Sequence, residues 1–147
     1  MHENSRLIFE KYARSYIKPG SRVLEIAPDG EPSTYQSSTP AADLTWESLE
    51  IVDSPHNLPN RRFDHMSANA YSYPLESNSF DVVLSGNVIE HVRMTWKWMQ
   101  ELARVCKPGG HVITRKGNRA ASAKFVTVAR WLACRPTLCQ CPAAALR

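Results

Sequence analysis

Lys-Pro-Gly occurs twice in this chain, at 18–20 and at 107–109, each time between a helical pattern and a short apolar run. A glycine just past a helix, with proline barring continuation, stops the helix and turns the chain into the next element. Before the first copy, from Asn4 to about Lys18, Leu7, Ile8, Tyr12 and Tyr16 fall at near-helical spacing, with Asn4 or Ser5 as cap. Before the second, Met94 to Cys106 reads as a helix because Met99, Leu102, Ala103 and Cys106 fit the i, i+3, i+4, i+7 template. After the copies come Val23–Ile26 and Val112–Thr114, both read as strands. Alternation of this kind implies βαβ units and a mainly parallel sheet, which gathers ligands at the C-terminal ends of its strands.

The other elements fill in around that frame. Phe80 to Leu84 is the clearest strand, preceded by a polar turn and followed by Ser85-Gly86. Leu49, Ile51 and Val52 predict a strand closed by Asp53, Ser54 and Pro55, and residues 63–69 a further one. Residues 31–47, rich in Ser, Thr and Pro, read as a long loop with one helical turn. Ala120 to about Leu132 reads as a helix, with an irregular tail beyond. The chain thus divides into an α/β unit over 1–118, with its core at 20–115, and a basic segment over 119–147.

Val23 to Gly30 carries the first chemical signal. The apolar run is interrupted by Glu25 and ends at once in Pro28, Asp29 and Gly30. A carboxylate inside a buried strand is costly unless something polar meets it, so the strand delivers an acid and a tight loop to its C-terminal edge. Residues 26–31 lack Gly-x-Gly-x-x-Gly, which argues against a nicotinamide-dependent oxidoreductase.

Charge is divided unevenly. Residues 115–147 carry Arg115, Lys116, Arg119, Lys124, Arg130, Arg135 and Arg147 and no acid, while residues 1–114 hold 11 basic against 14 acidic residues, a net of −3. The basicity therefore belongs to the tail, and with no aromatic-and-basic face beside it a nucleic-acid partner is not expected. No apolar run approaches the roughly 20 residues of a membrane span, and the N-terminus lacks the basic-then-apolar order of a signal peptide. The expected compartment is the cytoplasm. Cys139 and Cys141 stand one residue apart, not at zinc-knuckle spacing, so free thiols and no metal are expected.

Three segments resemble, in order and at suitable spacing, class I S-adenosylmethionine-dependent methyltransferases, especially the branch labelled type 11. Val23–Gly30 is similar to that family's first-strand motif, Ala68–Val92 to its third-loop and fourth-strand region, and Glu101–Gly110 to the segment before its fifth strand. The resemblance implies a Rossmann-like, doubly wound, mainly parallel sheet of about five strands. It implies S-adenosyl-L-methionine as cofactor and methyl transfer to a small-molecule acceptor. It gives Glu25 the role of ordering the loop near the cofactor's amino-acid end, with Ala27, Asp29 and Gly30 lining that end. Asp53 takes the ribose hydroxyls or else only starts a turn. Asn69, with Ala70, lies near the adenine, and Ser85 on the methionine side. His91, in Glu90-His91, is the candidate base, or else structural. Trp96 and Trp98 are assigned to packing or to covering the site.

Two departures from the family pattern shape the expectations. Ala27 and Asp29 occupy positions usually given to glycine, where positive φ and close backbone approach are needed, so reshaped binding is expected. After Thr114 no strand pair is apparent, so the family's C-terminal antiparallel hairpin is expected to be missing. That leaves the last strand an open edge for a second copy or another partner. The alternative to an active methyltransferase is a truncated or degenerate domain that binds cofactor weakly or works as a partner-dependent subunit.

Overall fold

The computed structural model describes residues 3–40, 42–49, 71–116 and 125–130. Its centre is a five-stranded sheet built of β1 (Arg22–Ile26), β2 (Thr45–Leu49), β3 (Phe80–Gly86), β4 (Cys106–Lys116) and β5 (Phe125–Arg130), in the order β2-β1-β3-β4-β5. The first four strands run parallel and β5 pairs antiparallel with β4. The mainly parallel α/β sheet expected from the alternating pattern is what the chain forms.

Helix α1 (Glu3–Tyr12), followed by a 3-10 turn at Arg14–Tyr16, covers one face of the sheet. Phe9, Ala13 and Ile17, four residues apart, meet Val23, Tyr35, Val82, Leu84 and Ile113. Helix α3 (Thr95–Val105) covers the other face. There Trp98, Leu102 and Val105 pack against Leu24, Ile26, Phe80, Val83 and Val112. Neighbouring strand residues therefore point to opposite cores, which is why β1 and β3 read as nearly continuous apolar runs. Between β1 and β2 lies the four-residue helix α2 (Thr34–Ser37), capped by the Ser33 hydroxyl, which accepts from the Gln36 amide at 3.0 Å.

Both Lys-Pro-Gly copies act as chain-turning devices. Gly20 and Gly109 sit at φ of +76° and +83°, three residues beyond the extended caps Ile17 and Cys106 that end the preceding helices, so they redirect the chain and do not themselves cap those helices. At the second copy Phe80 pairs with Cys106 and Val82 with His111, so Lys107–Gly110 bulge out of the ladder between them. Lys107 is held there by Asp81, at 2.9 Å to each carboxylate oxygen.

Several expectations need correction. A strand begins at Thr45, inside the stretch expected to be loop, and runs to Leu49, while Ile51 and Val52 of the expected strand lie outside the described residues. Arg22 and Glu47 form a 2.7 Å ion pair across β1 and β2, and the Trp46 indole reaches Glu25, partners invisible to a local apolar pattern. The helix predicted over 120–132 contains instead the strand Phe125–Arg130, whose β-branched Val-Thr-Val core favours extended backbone. That strand pairs with β4 from His111↔Arg130 to Lys116↔Phe125, so this edge of β4 is covered and not open to a partner. The predicted strand at 63–69 lies outside the described residues.

Candidate functional site

The sheet order sets where a ligand fits. From central β1 the chain moves to β2 on one side and then to β3 on the other, so the C-terminal ends of β1 and β3 flank a topological switch point. Ile26 is paired with Ser85 across that point. The loop after β1 and the Ser85-Gly86-Asn87 corner after β3 therefore face one crevice.

Glu25, one residue before the end of β1, is 1 % exposed. Its Oε2 accepts hydrogen bonds from the Ser33 hydroxyl and from the Trp46 indole at 3.0 Å. Burial pushes its carboxyl up from 4.5 to about 7, although both hydrogen bonds and the ionised form favour each other. This single oxygen ties the end of β1 to the cap of α2 and to β2. Ala27 follows at φ +52°, in the left-handed conformation that glycine adopts freely, with its amide donating to the Leu49 carbonyl at 2.8 Å. The loop thus keeps the glycine geometry with an alanine in it, at a cost of about 1–2 kcal/mol.

Asp29 does not leave a bare charge in the crevice. Its two oxygens accept from the Thr34 amide at 2.9 Å and the Thr34 hydroxyl at 2.7 Å. Burial works against its ionisation, but the Thr34 hydrogen bonds are foremost among the contacts that hold its carboxyl below the usual range. Gly30 has room for a side chain, the nearest atom to a Cβ there being the Pro32 carbonyl oxygen at 3.8 Å. Ser85 is buried, and its Oγ has no hydrogen-bond partner among the described residues. His91 lies exposed at the end of the 3-10 turn Ile89–His91. Asp53, Asn69 and Ala70 fall outside the described residues. Trp98 is fully buried, its indole donating to the Tyr73 hydroxyl at 2.7 Å, whereas Trp96 is 63 % exposed.

Three residues at this edge were not singled out from sequence. Tyr35, on α2, stacks on Phe9 with ring centroids 4.5 Å apart and brings its hydroxyl beneath Gly86. A Cβ on Gly86 would lie 2.8 Å from that oxygen, so glycine is required here. Arg115, near the end of β4, is 6 % exposed and donates to the side-chain Oδ1 of Asn87 at 2.9 Å. Asn87, at φ +59°, turns the chain out of β3. Arginine closing a strand was the one available signal; nothing local marked Tyr35.

With this geometry in view, the comparisons are specific. Residues 33–114, more than half of the chain, match the family model described as a methyltransferase domain. This chain belongs to the methyltransferase-domain family. It is 42% identical over 102 residues to an uncharacterized methyltransferase of Mycobacteroides abscessus, covering 69% of this chain and 34% of that protein. It is 31% identical over 115 residues to a demethylmenaquinone methyltransferase of Renibacterium salmoninarum, covering 75% and 47%. The chain thus spans a third to a half of these relatives. In fold it resembles Haemonchus contortus phosphoethanolamine N-methyltransferase 2 solved with S-adenosyl-L-methionine, with a TM-score of 0.57, 23% identity, and 78% and 28% of the two chains covered. It also resembles a SAM-dependent methyltransferase of Aquifex aeolicus, with a TM-score of 0.55 and 18% identity over 82% and 73%. The described residues include no helix long and apolar enough to cross a membrane.

The residues present fit the family's cofactor. The turn at Ala27 has the backbone form of the glycine loop, and the nearby acidic charge is directed to Thr34. Two buried polar atoms near the C-terminal ends of β3 and β4, Ser85 Oγ and Arg115 Nε, have no hydrogen-bond partner among the described residues.

Proposed function

We propose that this domain binds S-adenosyl-L-methionine across the C-terminal ends of β1 and β3 and directs its methyl group to a small-molecule acceptor. The observation that carries this is the left-handed turn at Ala27, kept at the switch point beside Glu25 although glycine is absent. The cofactor supplies an activated methyl group on a sulfonium, which moves to the acceptor's nucleophile by in-line displacement. The chain's own contribution is then alignment and exclusion of water more than side-chain chemistry.

Glu25 acts here by organising the loop: through Ser33 and Trp46 it fixes both walls of the amino-acid end of the site. Backbone around Ala27 and Gly30 lines that end. Asp29 supports the loop from behind by holding Thr34. Ser85 offers from the β3 side a hydroxyl with no partner among the described residues. Asp53 takes the ribose hydroxyls, since a carboxylate has two oxygens for two donors, and Asn69 with Ala70 meets the adenine. His91, on the exposed turn after β3, is the candidate base for acceptors that must lose a proton.

Isothermal titration of S-adenosylhomocysteine into the 147-residue chain tests the reading. One-to-one binding is expected, weakened in Glu25→Ala and weakened further in Ala27→Val, whose β-branched side chain resists positive φ. A folded sample that binds no S-adenosylhomocysteine overturns it, as does preferential binding of NADH.

A further inference from the structure

The turn out of β3 is gripped by a side chain that comes from the adjoining strand. Along β3, Val82 and Leu84 face the α1 side of the sheet, and along β4 Ile113 does. Gly86 and Arg115 follow two residues later on that same face, and they are register partners near the ends of their strands. Arg115 is 6 % exposed and donates from Nη1 to Asn87 Oδ1 at 2.9 Å, while the Asn87 amide donates back to the Arg115 carbonyl at 3.0 Å. One arginine thus holds the corner residue by both its backbone and its side chain. Asn87 stands at φ +59°, a conformation most side chains resist, and the paired bonds keep it there.

Tyr35 completes the grip from α2. Burial pushes its hydroxyl above the usual tyrosine range, while the neighbouring Arg115 guanidinium works the other way by charge and hydrogen bonding. Its ring is stacked on Phe9, and its oxygen comes within 2.8 Å of where a Gly86 Cβ would stand. Gly86 therefore has Tyr35 beneath it, Arg115 beside it and a clamped Asn87 after it. An apolar residue at 115 would fill this face with no charge to desolvate. What arginine adds is direction, because its planar fork of donors fixes neighbouring acceptors in set positions.

We propose that Arg115, together with Tyr35 and Asn87, is a positioning residue that sets the Ser85-Gly86-Asn87 backbone, the β3 wall of the crevice, to receive the cofactor's amino-acid end. The proposal rests on the S-adenosyl-L-methionine reading for the identity of that ligand. It adds to that reading a group on β4 that acts through the backbone it holds.

The test is calorimetric titration of wild type, Tyr35→Phe, Asn87→Gly, Arg115→Lys and Arg115→Met, each checked for folding by circular dichroism and thermal melting. Two probes are compared: S-adenosylhomocysteine, and 5′-methylthioadenosine, which keeps the nucleoside and the sulfur but lacks the amino-acid end. Tyr35→Phe and Asn87→Gly should each weaken S-adenosylhomocysteine about three- to tenfold, the effect of one hydrogen bond, and leave 5′-methylthioadenosine unchanged. Arg115→Met should lose more, with Arg115→Lys between it and wild type, because lysine keeps the charge without the fork. Asn87→Gly is the sharpest case, since glycine takes φ +59° freely and the grip is removed without straining the turn. Equal losses for both probes would mean that these residues only support the fold, and would overturn the proposal. Variants that bind S-adenosylhomocysteine as wild type does would overturn it too. Should Arg115→Met not fold, Tyr35→Phe and Asn87→Gly decide by the same comparison of probes. Wild type that binds no S-adenosylhomocysteine refutes the cofactor reading, a result distinct from both of these, and the proposal falls with it.

Discussion

Replacing Glu25 by glutamine should make the domain more stable, and by an amount that depends on pH. In the folded protein burial holds the carboxyl near 7, against 4.5 when it is free in water. Below about pH 4.5 both states are protonated and the residue contributes nothing to the pH dependence. As pH rises from 4.5 to 7 the unfolded chain loses this proton and the folded chain keeps it, so stability falls with pH. At about 1.4 kcal/mol per pH unit that gap sums to about 3 kcal/mol, complete above pH 7. Glutamine keeps an oxygen to accept from Ser33 and Trp46 but cannot ionise. Urea denaturation at pH 5, 6, 7 and 8, followed by tryptophan fluorescence and circular dichroism, measures the difference between variant and wild type, in which all other titrating groups cancel. The advantage of Glu25→Gln should be small at pH 5 and grow to about 3 kcal/mol at pH 8, with unchanged denaturant slopes. A difference that stays constant from pH 5 to 8 would refute the argument that burial governs this carboxyl.

Four further outcomes are expected. Ala27→Gly should raise stability by about 1 kcal/mol in the same assay, because glycine adopts φ near +52° without strain. Gly86→Ala should cost about 1–3 kcal/mol in thermal denaturation, since its Cβ would press on the Tyr35 hydroxyl 2.8 Å away in a packed core. Tyr73→Phe should cost about 1–3 kcal/mol by stranding the buried Trp98 indole N–H, whereas a loss below a few tenths would mean the hydrogen bond contributes little. Burial pushes the Cys106 thiol up to about 11, so peptide mapping after iodoacetamide treatment at pH 8 should find it unlabelled in the native protein and labelled in urea.

Legibility from sequence followed the range of the interactions involved. β1, β3 and α3 stood out because both faces of the central strands and one stripe of the helix are buried, which writes the periodicity directly into the residues. The Lys-Pro-Gly turns stood out because their chemistry is local. The start of β2 at Thr45, four residues before the apolar pattern at Leu49, was not legible because it rests on Arg22 and Glu25, more than twenty residues away. β5 was read as a helix because a short run of Val, Thr and Ala fits either period until a partner strand is known. At the site, Glu25 and Ala27 were legible from their position after an apolar run. The engagement of Asp29 with Thr34 was not, nor was the meeting of Tyr35, Asn87 and Arg115, which come from three different elements.

The stretch leading into β3 carries a consequence for how this domain tolerates change. Residues 71–79 have neither helix nor strand, yet the Tyr73 amide donates to Glu101, and the Asn78 and Ser79 amides to the carbonyls of Arg104 and Val105. Arg104 returns bonds to the carbonyls of Tyr73 and Leu75 and to the Ser77 hydroxyl while paired with Glu101 at 2.6 Å. A segment so fastened shares the opening free energy of α3, and its amides will exchange with solvent only when that helix detaches. Irregular backbone is usually the place to cut, tag or lengthen a protein. Here it is a seam, and an insertion between Tyr73 and Ser79 would unseat α3 from the sheet.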